Sequence, residues 1–366
     1  MTEKRNAPAA TPALAVTMGD PGGIGPEVVL KALLRKPVRR ACRPVVVGDL
    51  AVLRRCARLL GLPARLVSVR GIREIPRGAG AIPVIEPCAS IRRHRWSAVR
   101  RDHGAASMEY VRHAVALALA GEADGVVTAP ICKEAIHRAG YRFQGHTDFL
   151  AHLTGARRHA MMLTGGGLSV VLVTIHVALS AVSRLVTRPA VLEAVRLAHE
   201  AALRMGRRRP RVAVCGLNPH AGEAGAFGDE ERRAIAPAIR AARREGIDAR
   251  GPFPPDTLFV ARSREGYDIV VAMYHDQGLI PLKMLAFERG VNVTLGLPIV
   301  RTSPDHGTAF DIAGRGVADP GSMVEALLLA ARLCGRGRRR RLTGTDRACR
   351  AGARRAAQHH HRQLPD

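Results

Sequence analysis

Short, nearly unbroken apolar runs punctuate this chain, and most lead into longer stretches whose apolar residues recur every three or four positions. The runs are Leu14–Met18, Pro44–Gly48, Gly125–Thr128, Leu168–Thr174, Arg211–Cys215 and Tyr267–Met273. Their brevity and their richness in Val predict strands buried on both faces. The helical period covers Val28–Leu34, Leu50–Leu60, Ala105–Ala120, Pro189–Met205 and Glu230–Glu245. Strands and helices in alternation predict an α/β fold. Arg70–Arg101, basic and broken by prolines, reads as irregular surface chain. Thr164–Ser183 carries no formal charge over a membrane-spanning length, but it opens on three glycines and holds His176 and several hydroxyls. A buried strand followed by a loop is the better reading.

Chemistry gathers where the runs end. The stretch Met273–Pro320 holds His275, Asp276, Lys283, Asn292, Arg301, Asp305, His306 and Asp311, each near a Gly or Pro that lets the backbone turn and present a side chain. His275 and Asp276 directly follow a predicted strand, the edge at which α/β proteins bind ligands. His176 and His220 also follow predicted strands. Three neutral imidazoles on segments that one sheet brings together suit a divalent metal such as zinc or cobalt, although no HExxH or HxH spacing marks them. Asp276 and Glu223 are the carboxylates placed to orient them. Near the start, GDPGGIGPE between a strand and a helix is neither GxGxxG nor GxxxxGK[ST]; it is either a tight turn or a cradle of backbone N–H groups for an anion. Gly145 precedes His146, Thr147 and Asp148. His146 and Thr147 offer donors for a phosphate or carboxylate, while Thr147 or Asp148 is equally a helix cap.

Composition narrows this further. The chain has 366 residues, 47% hydrophobic but only 3% aromatic, so its core is aliphatic. The net charge of +26 attracts anions, phosphorylated metabolites among them. No aromatic residues interleave a basic groove and no nucleic-acid signature is present, so nucleic acid is not the expected partner. Seven cysteines, an odd number with no CxxC, indicate a reducing compartment, and the N-terminus lacks an apolar signal segment. The expected location is the cytoplasm. From 335 to 366 the chain is dominated by arginine, with His359–His361 adjacent, and reads as a disordered basic tail.

Six motifs, in order, carry a resemblance: TMGDPGGIGPE (Thr17–Glu27), VVTAPICKEAI (Val126–Ile136), GHTDFLA (Gly145–Ala151), CGLNPHAGE (Cys215–Glu223), GPFPPDTLF (Gly251–Phe259) and the stretch Met273–Pro320. From about Ala13 to Leu333 the sequence resembles the 4-hydroxythreonine-4-phosphate dehydrogenase family of pyridoxal phosphate biosynthesis. Within it, HGTAFDIAGRGVADP (His306–Pro320) is similar to the adenosine-wrapping loop of isocitrate and isopropylmalate dehydrogenases. The resemblance implies two α/β/α domains flanking a cleft, as in isopropylmalate dehydrogenase. The first would comprise residues 13–135 and 305–334, and the second residues 136–304. It implies a metal held by His176, His220 and His275, with zinc expected first and magnesium or cobalt as alternatives. Substrate would meet His146, Thr147, Lys283, Asn292 and Arg301, and NAD or NADP would meet His306, Gly307, Asp311 and Asp319. Lys283 and Asp276 are the expected catalytic side chains. The implied assembly is a homodimer with shared active sites, His275 facing His176 and His220 across the interface.

The implied reaction is oxidation of 4-phosphooxy-L-threonine, followed by loss of carbon dioxide. The nearest alternative is a dehydrogenase of D-threonate or D-erythronate 4-phosphate. Two readings of other classes are a three-histidine metal hydrolase or lyase, which leaves the loop His306–Pro320 without a purpose, and a nucleic-acid-binding protein driven by the basic tail.

Overall fold

A computed structural model describes residues 11–75, 80–260 and 265–341, the last six as backbone only. The chain divides into two compact units. The first takes the chain through Phe143, Gly307–Pro320, and the part from Ala326; the second takes Gln144–His306 and Gly321–Glu325. The predicted α/β alternation is present in both.

The first unit contains β1 (Ala13–Thr17), α1 (Gly25–Leu33), α2 (Lys36–Ala41), β2 (Arg43–Val47), α3 (Leu50–Leu59), β3 (Arg65–Ser68), β4 (Ala81–Ile85), α4 (Arg101–Leu119), β5 (Gly125–Thr128) and α5 (Lys133–Arg138). Its strands run in the order β3-β4-β2-β1-β5, every pairing parallel. Every residue of β1 is buried, which is why that segment reads as a solid apolar run. The sequence places the domain boundary after Ala135, but the chain leaves this unit only after Phe143. The cause is packing: a Cβ on Gly104 of α4 would lie 2.1 Å from the Ala135 carbonyl oxygen, so α4 and α5 touch at the backbone.

The second unit contains α6 (His146–Thr154), β6 (Ala160–Gly165), β7 (Leu168–Leu172), α7 (Leu179–Leu185), α8 (Arg188–Met205), β8 (Arg211–Cys215), α9 (Ala236–Arg244), β9 (Asp248–Phe253), α10 (Pro255–Leu258), β10 (Ile269–Ala272), α11 (His275–Ala286), β11 (Val291–Leu295) and β12 (Val300–Pro304). Its order is β12-β11-β6-β7-β10-β8-β9. The pairs from β7 to β9 are parallel, and those from β12 to β7 antiparallel. Leu163, Leu168, Val170, Leu172, Val270, Leu279 and Leu282 join in its core. Gly278 lets α11 settle on the sheet, since a Cβ there would stand 2.7 Å from Val170 Cγ1 and 2.9 Å from Leu172 Cδ2.

Three expectations need correction. The irregular stretch Arg70–Arg101 contains β4, a buried strand interrupted by Pro83. The helical pattern at Glu230 begins as one π-helical turn, Glu231–Ile235, before α9. The last helix, α12 (Gly321–Arg341), continues past Leu333 into the arginine-rich segment, because arginine is a good helix former. Residues 342–366, including His359–His361, lie outside the described residues.

Candidate active site

Two of the three histidines come together by backbone hydrogen bonding. Val173 N–H donates to Ala272 O (2.9 Å) and Thr174 N–H to Met273 O (3.1 Å), so the chain leaving β7 is zipped to the chain leaving β10. Thr174 Oγ1 adds a further bond to Met273 O at 2.8 Å. The His176 and His275 rings consequently lie 5.8 Å apart. His275 opens α11, and its Nδ1 is 2.7 Å from Asp276 Oδ1. That contact fixes the ring and turns Nε2 away from Asp276. Gln277, buried in the same turn, accepts from Met273 N–H (2.7 Å) and donates to Gly216 O (2.8 Å), tying the start of α11 to the chain leaving β8.

That chain carries His220 in an unusual backbone. His220, Ala221, Gly222, Glu223 and Ala224 all have positive φ, at 52°, 54°, 86°, 41° and 55°. Four of the five are not glycine, so the turn is costly and must be held from outside. Glu231 holds it: its Oε1 accepts from Leu217 N–H (2.7 Å) and Asn218 N–H (2.8 Å), and its Oε2 accepts from Asn218 Nδ2 (3.0 Å). Glu230 joins through Asn218 Nδ2 (2.8 Å) and the Ser183 hydroxyl. The bond from Ser183, with help from Asn218, pulls the Glu230 carboxyl down to about 2. Among the described residues, no three His, Cys, Asp or Glu side chains stand close enough to hold one metal ion. His176 and His275 thus fit a metal in donor chemistry and spacing, while His220 of the same chain does not join them. Within one chain His176 and His275 are therefore neighbours.

A second group of residues forms on one sheet face. Asn292 pairs with Ser303 across β11 and β12, which puts Asn292, Thr294, Arg301 and Ser303 on the same side. Arg301 is only 2% exposed, and its Nη1 donates to Thr294 Oγ1 at 2.9 Å. Burial brings its ionisation down to about 9, which still leaves it charged at neutral pH. His146 starts α6 after Gly145, which is the actual N-cap, so Thr147 and Asp148 stand in the first turn and do not cap it. Burial, with the Arg301 charge nearby, holds His146 neutral well below the usual histidine range. His146 Nε2 and Asn292 Oδ1 are shielded from solvent without a hydrogen-bond partner. A buried guanidinium beside two unsatisfied polar atoms is a site waiting for an anion with several oxygens.

Lys283 lies further along α11, its Nζ 3.6 Å from Asp305 Oδ2. Burial raises the Asp305 carboxyl, and Lys283 partly offsets this. Asp311 and Asp319 are exposed on the loop that follows. Sequence reasoning named Asp305 without giving it a role and missed Gln277, Glu231 and Thr294. Only Asp305, next to His306 in the polar stretch, carried a visible signal.

Comparison with known proteins finds relatives that match nearly the whole chain. The family model described as pyridoxal phosphate biosynthetic protein PdxA matches residues 40–330. A 4-hydroxythreonine-4-phosphate dehydrogenase of Geobacter metallireducens is 50% identical over 327 residues, covering 89% of this chain and 96% of that protein. A D-threonate 4-phosphate dehydrogenase of Cupriavidus necator is 44% identical over 326 residues, covering 89% and 98%. The crystal structure of 4-hydroxythreonine-4-phosphate dehydrogenase from Klebsiella pneumoniae matches with a TM-score of 0.80 at 43% identity, covering 88% of this chain and 99% of that one.

Proposed function

The chain belongs to the PdxA family of pyridoxal phosphate biosynthetic proteins, and from that premise we propose that it oxidises 4-phosphooxy-L-threonine with NAD or NADP. The secondary alcohol loses a hydride and a proton, giving 2-amino-3-oxo-4-phosphooxybutanoate. This β-keto acid loses carbon dioxide and takes up a proton at carbon, giving 3-amino-2-oxopropyl phosphate. The observation that carries the reading is the buried Arg301, on one sheet face with Asn292 and close to a neutral His146. These side chains, with Thr147, would bind the phosphate and orient the chain of the substrate.

When bound, the nicotinamide supplies the hydride acceptor and a divalent cation supplies positive charge beside the reacting oxygen. The donors for that cation are His176 and His275, with Asp276 fixing the second ring, and His220 as third. Zinc suits three imidazoles first, with magnesium or cobalt as alternatives. Lys283, beside Asp305, is positioned to carry a proton. The loop His306–Asp319, with Gly307 and Asp311, would hold the dinucleotide.

The assembly is a homodimer. In support, Ile280, Met284, Leu285 and Phe287 on and just beyond α11 are exposed, Met284 by 83% and Phe287 by 76%, as are Val177, Leu179 and Leu185 around α7. Large apolar side chains left exposed along α11 and around α7 are the mark of a covered surface. The cytoplasm suits the six described cysteines, none of which is in a disulfide. No helix among the described residues is long and apolar enough to cross a membrane.

A second substrate has its own support in the Cupriavidus necator relative, named for D-threonate 4-phosphate. The deciding experiment incubates purified protein with each substrate and each nucleotide and follows reduced cofactor by absorbance. Turnover of 4-phosphooxy-L-threonine at least tenfold above D-threonate 4-phosphate is expected. The reverse order hands the function to the sugar-acid reading, and full activity after chelation removes the metal.

A further inference from the structure

We infer that Glu27 and Lys31, on the first helix, are positioning residues for the dinucleotide; this rests on the reading that the loop after His306 holds the cofactor. The Glu27 side chain is completely buried, and Lys31 reaches it at 2.7 Å from one turn further along α1. Lys31 Nζ also donates to Gly316 O (2.7 Å) and Ala318 O (2.9 Å), so all three ammonium hydrogens are used. Glu27 Oε1 in turn accepts from Ala318 N–H at 2.9 Å. One acid–base pair on a helix therefore satisfies three backbone groups at the far end of the loop.

The near end is held from the same helix. Ile24 N–H, at the N-cap of α1, donates to Thr308 O at 2.9 Å. Between these grips the loop makes two more contacts, Ser97 Oγ to Phe310 O at 2.5 Å and Gly314 against the Trp96 ring. Between the grips, Asp311, Arg315 and Val317 are the residues left exposed. The result is a short arch clamped at both feet, its crown presented for a ligand without folding on contact. A preformed loop binds more tightly than one that must be ordered first. A buried carboxylate and its lysine partner whose remaining bonds go to loop backbone, at a place where apolar packing would serve stability equally well, point to fixing a shape.

The test is direct binding, not turnover. Lys31→Met keeps the apolar stem and removes the ammonium; Glu27→Gln keeps an acceptor and removes the charge that holds Lys31. NADH and NADPH are titrated into each variant by fluorescence, with Asp311→Ala as a contact-residue control. Both clamp variants should raise the dinucleotide Kd about tenfold at full binding stoichiometry. A merely structural defect would instead lower the number of competent sites and leave Kd unchanged, and that outcome overturns the proposal. If Asp311→Ala weakens binding while both clamp variants stay within twofold of the parent, the clamp falls and the loop reading stands. If none of the three affects dinucleotide Kd, the loop reading falls and the clamp with it. Should Lys31→Met fail to fold, Glu27→Gln decides alone by the same thresholds.

Discussion

Arg301 concentrates the functional argument in one side chain. The Arg301 charge is only 2% exposed, its Nη1 donating to Thr294 Oγ1, and a charge buried away from bulk water calls for an opposite one. A phosphate meets that need with two parallel bonds, which an ammonium cannot make. Arg301→Lys keeps the charge and loses the fork. It should cost roughly 2–3 kcal/mol of binding, a fall in kcat/KM of about 100-fold carried by KM. Steady-state kinetics on the phosphorylated substrate decides this, and a loss under threefold would remove Arg301 from the phosphate. His146 makes a separate prediction through pH. In the unfolded chain it ionises near the ordinary histidine value, about 6.5; in the fold, burial and Arg301 keep it neutral to much lower pH. Below about 6.5 the unfolded chain therefore binds one more proton than the folded one, so stability is fully present above that pH and declines as pH falls towards the lower folded value. The melting temperature of the parent should fall more steeply from pH 7.5 to 5.5 than that of His146→Asn. Parallel curves would show that His146 titrates normally.

At the scale of elements, the left-handed turn at His220 decides how well the third histidine is presented. Gly222 sits at φ 86°, and a Cβ there would lie 2.7 Å from Glu231 Oε2, the carboxylate that organises the turn. Gly222→Ala should lose about 1–3 kcal/mol of stability and at least tenfold in zinc affinity, read by urea denaturation and calorimetric titration. Unchanged zinc affinity in a folded variant would mean the turn does not present a ligand. Nothing in CGLNPHAGE announces a five-residue left-handed run, because Ala and Glu are not expected at positive φ. The elements that were legible are those whose burial is one-sided or total. β1 and β10 are solid apolar runs, and α8 begins within one residue of its predicted start. β4 hid behind Pro83 and its basic flanks, and β11 and β12 hid because the polar Asn292, Thr294, Arg301 and Ser303 occupy one face, three of them buried. Residues that serve a site break the apolar pattern by which strands are recognised. His176, His220 and His275 were legible as strand-end histidines; which of them meet was not, since strand order is a long-range property.

For the whole molecule, the prediction is that a partner chain supplies the third imidazole of the proposed metal site. His176 and His275 are side by side in one chain, and no third ligand of the described residues stands with them. Along α11 and α7, Ile280, Met284, Phe287 and Leu179 are exposed, an apolar surface that a second copy of the chain would cover. In a two-fold dimer every contact occurs twice, so a site built from His176 and His275 of one protomer and the partner's His220 would appear as two equivalent sites. Complementation tests this geometry and no other. His275→Ala and His220→Ala should each be inactive as homodimers. In the mixed dimer one site collects both defects, while the other receives intact His176 and His275 from the first variant's partner and intact His220 from the first variant itself. Purified heterodimer should then show close to half the parent's activity per dimer. Mixing His176→Ala with His275→Ala serves as the control. These residues belong to the same half of each site, so both sites stay damaged and no activity should return. Rescue in the control but not in the first mixture would put the interface between His176 and His275, against their 5.8 Å approach within one chain. Failure of both mixtures, with folded dimers, would return all three ligands to a single chain and require the His220 turn to close on its own neighbours.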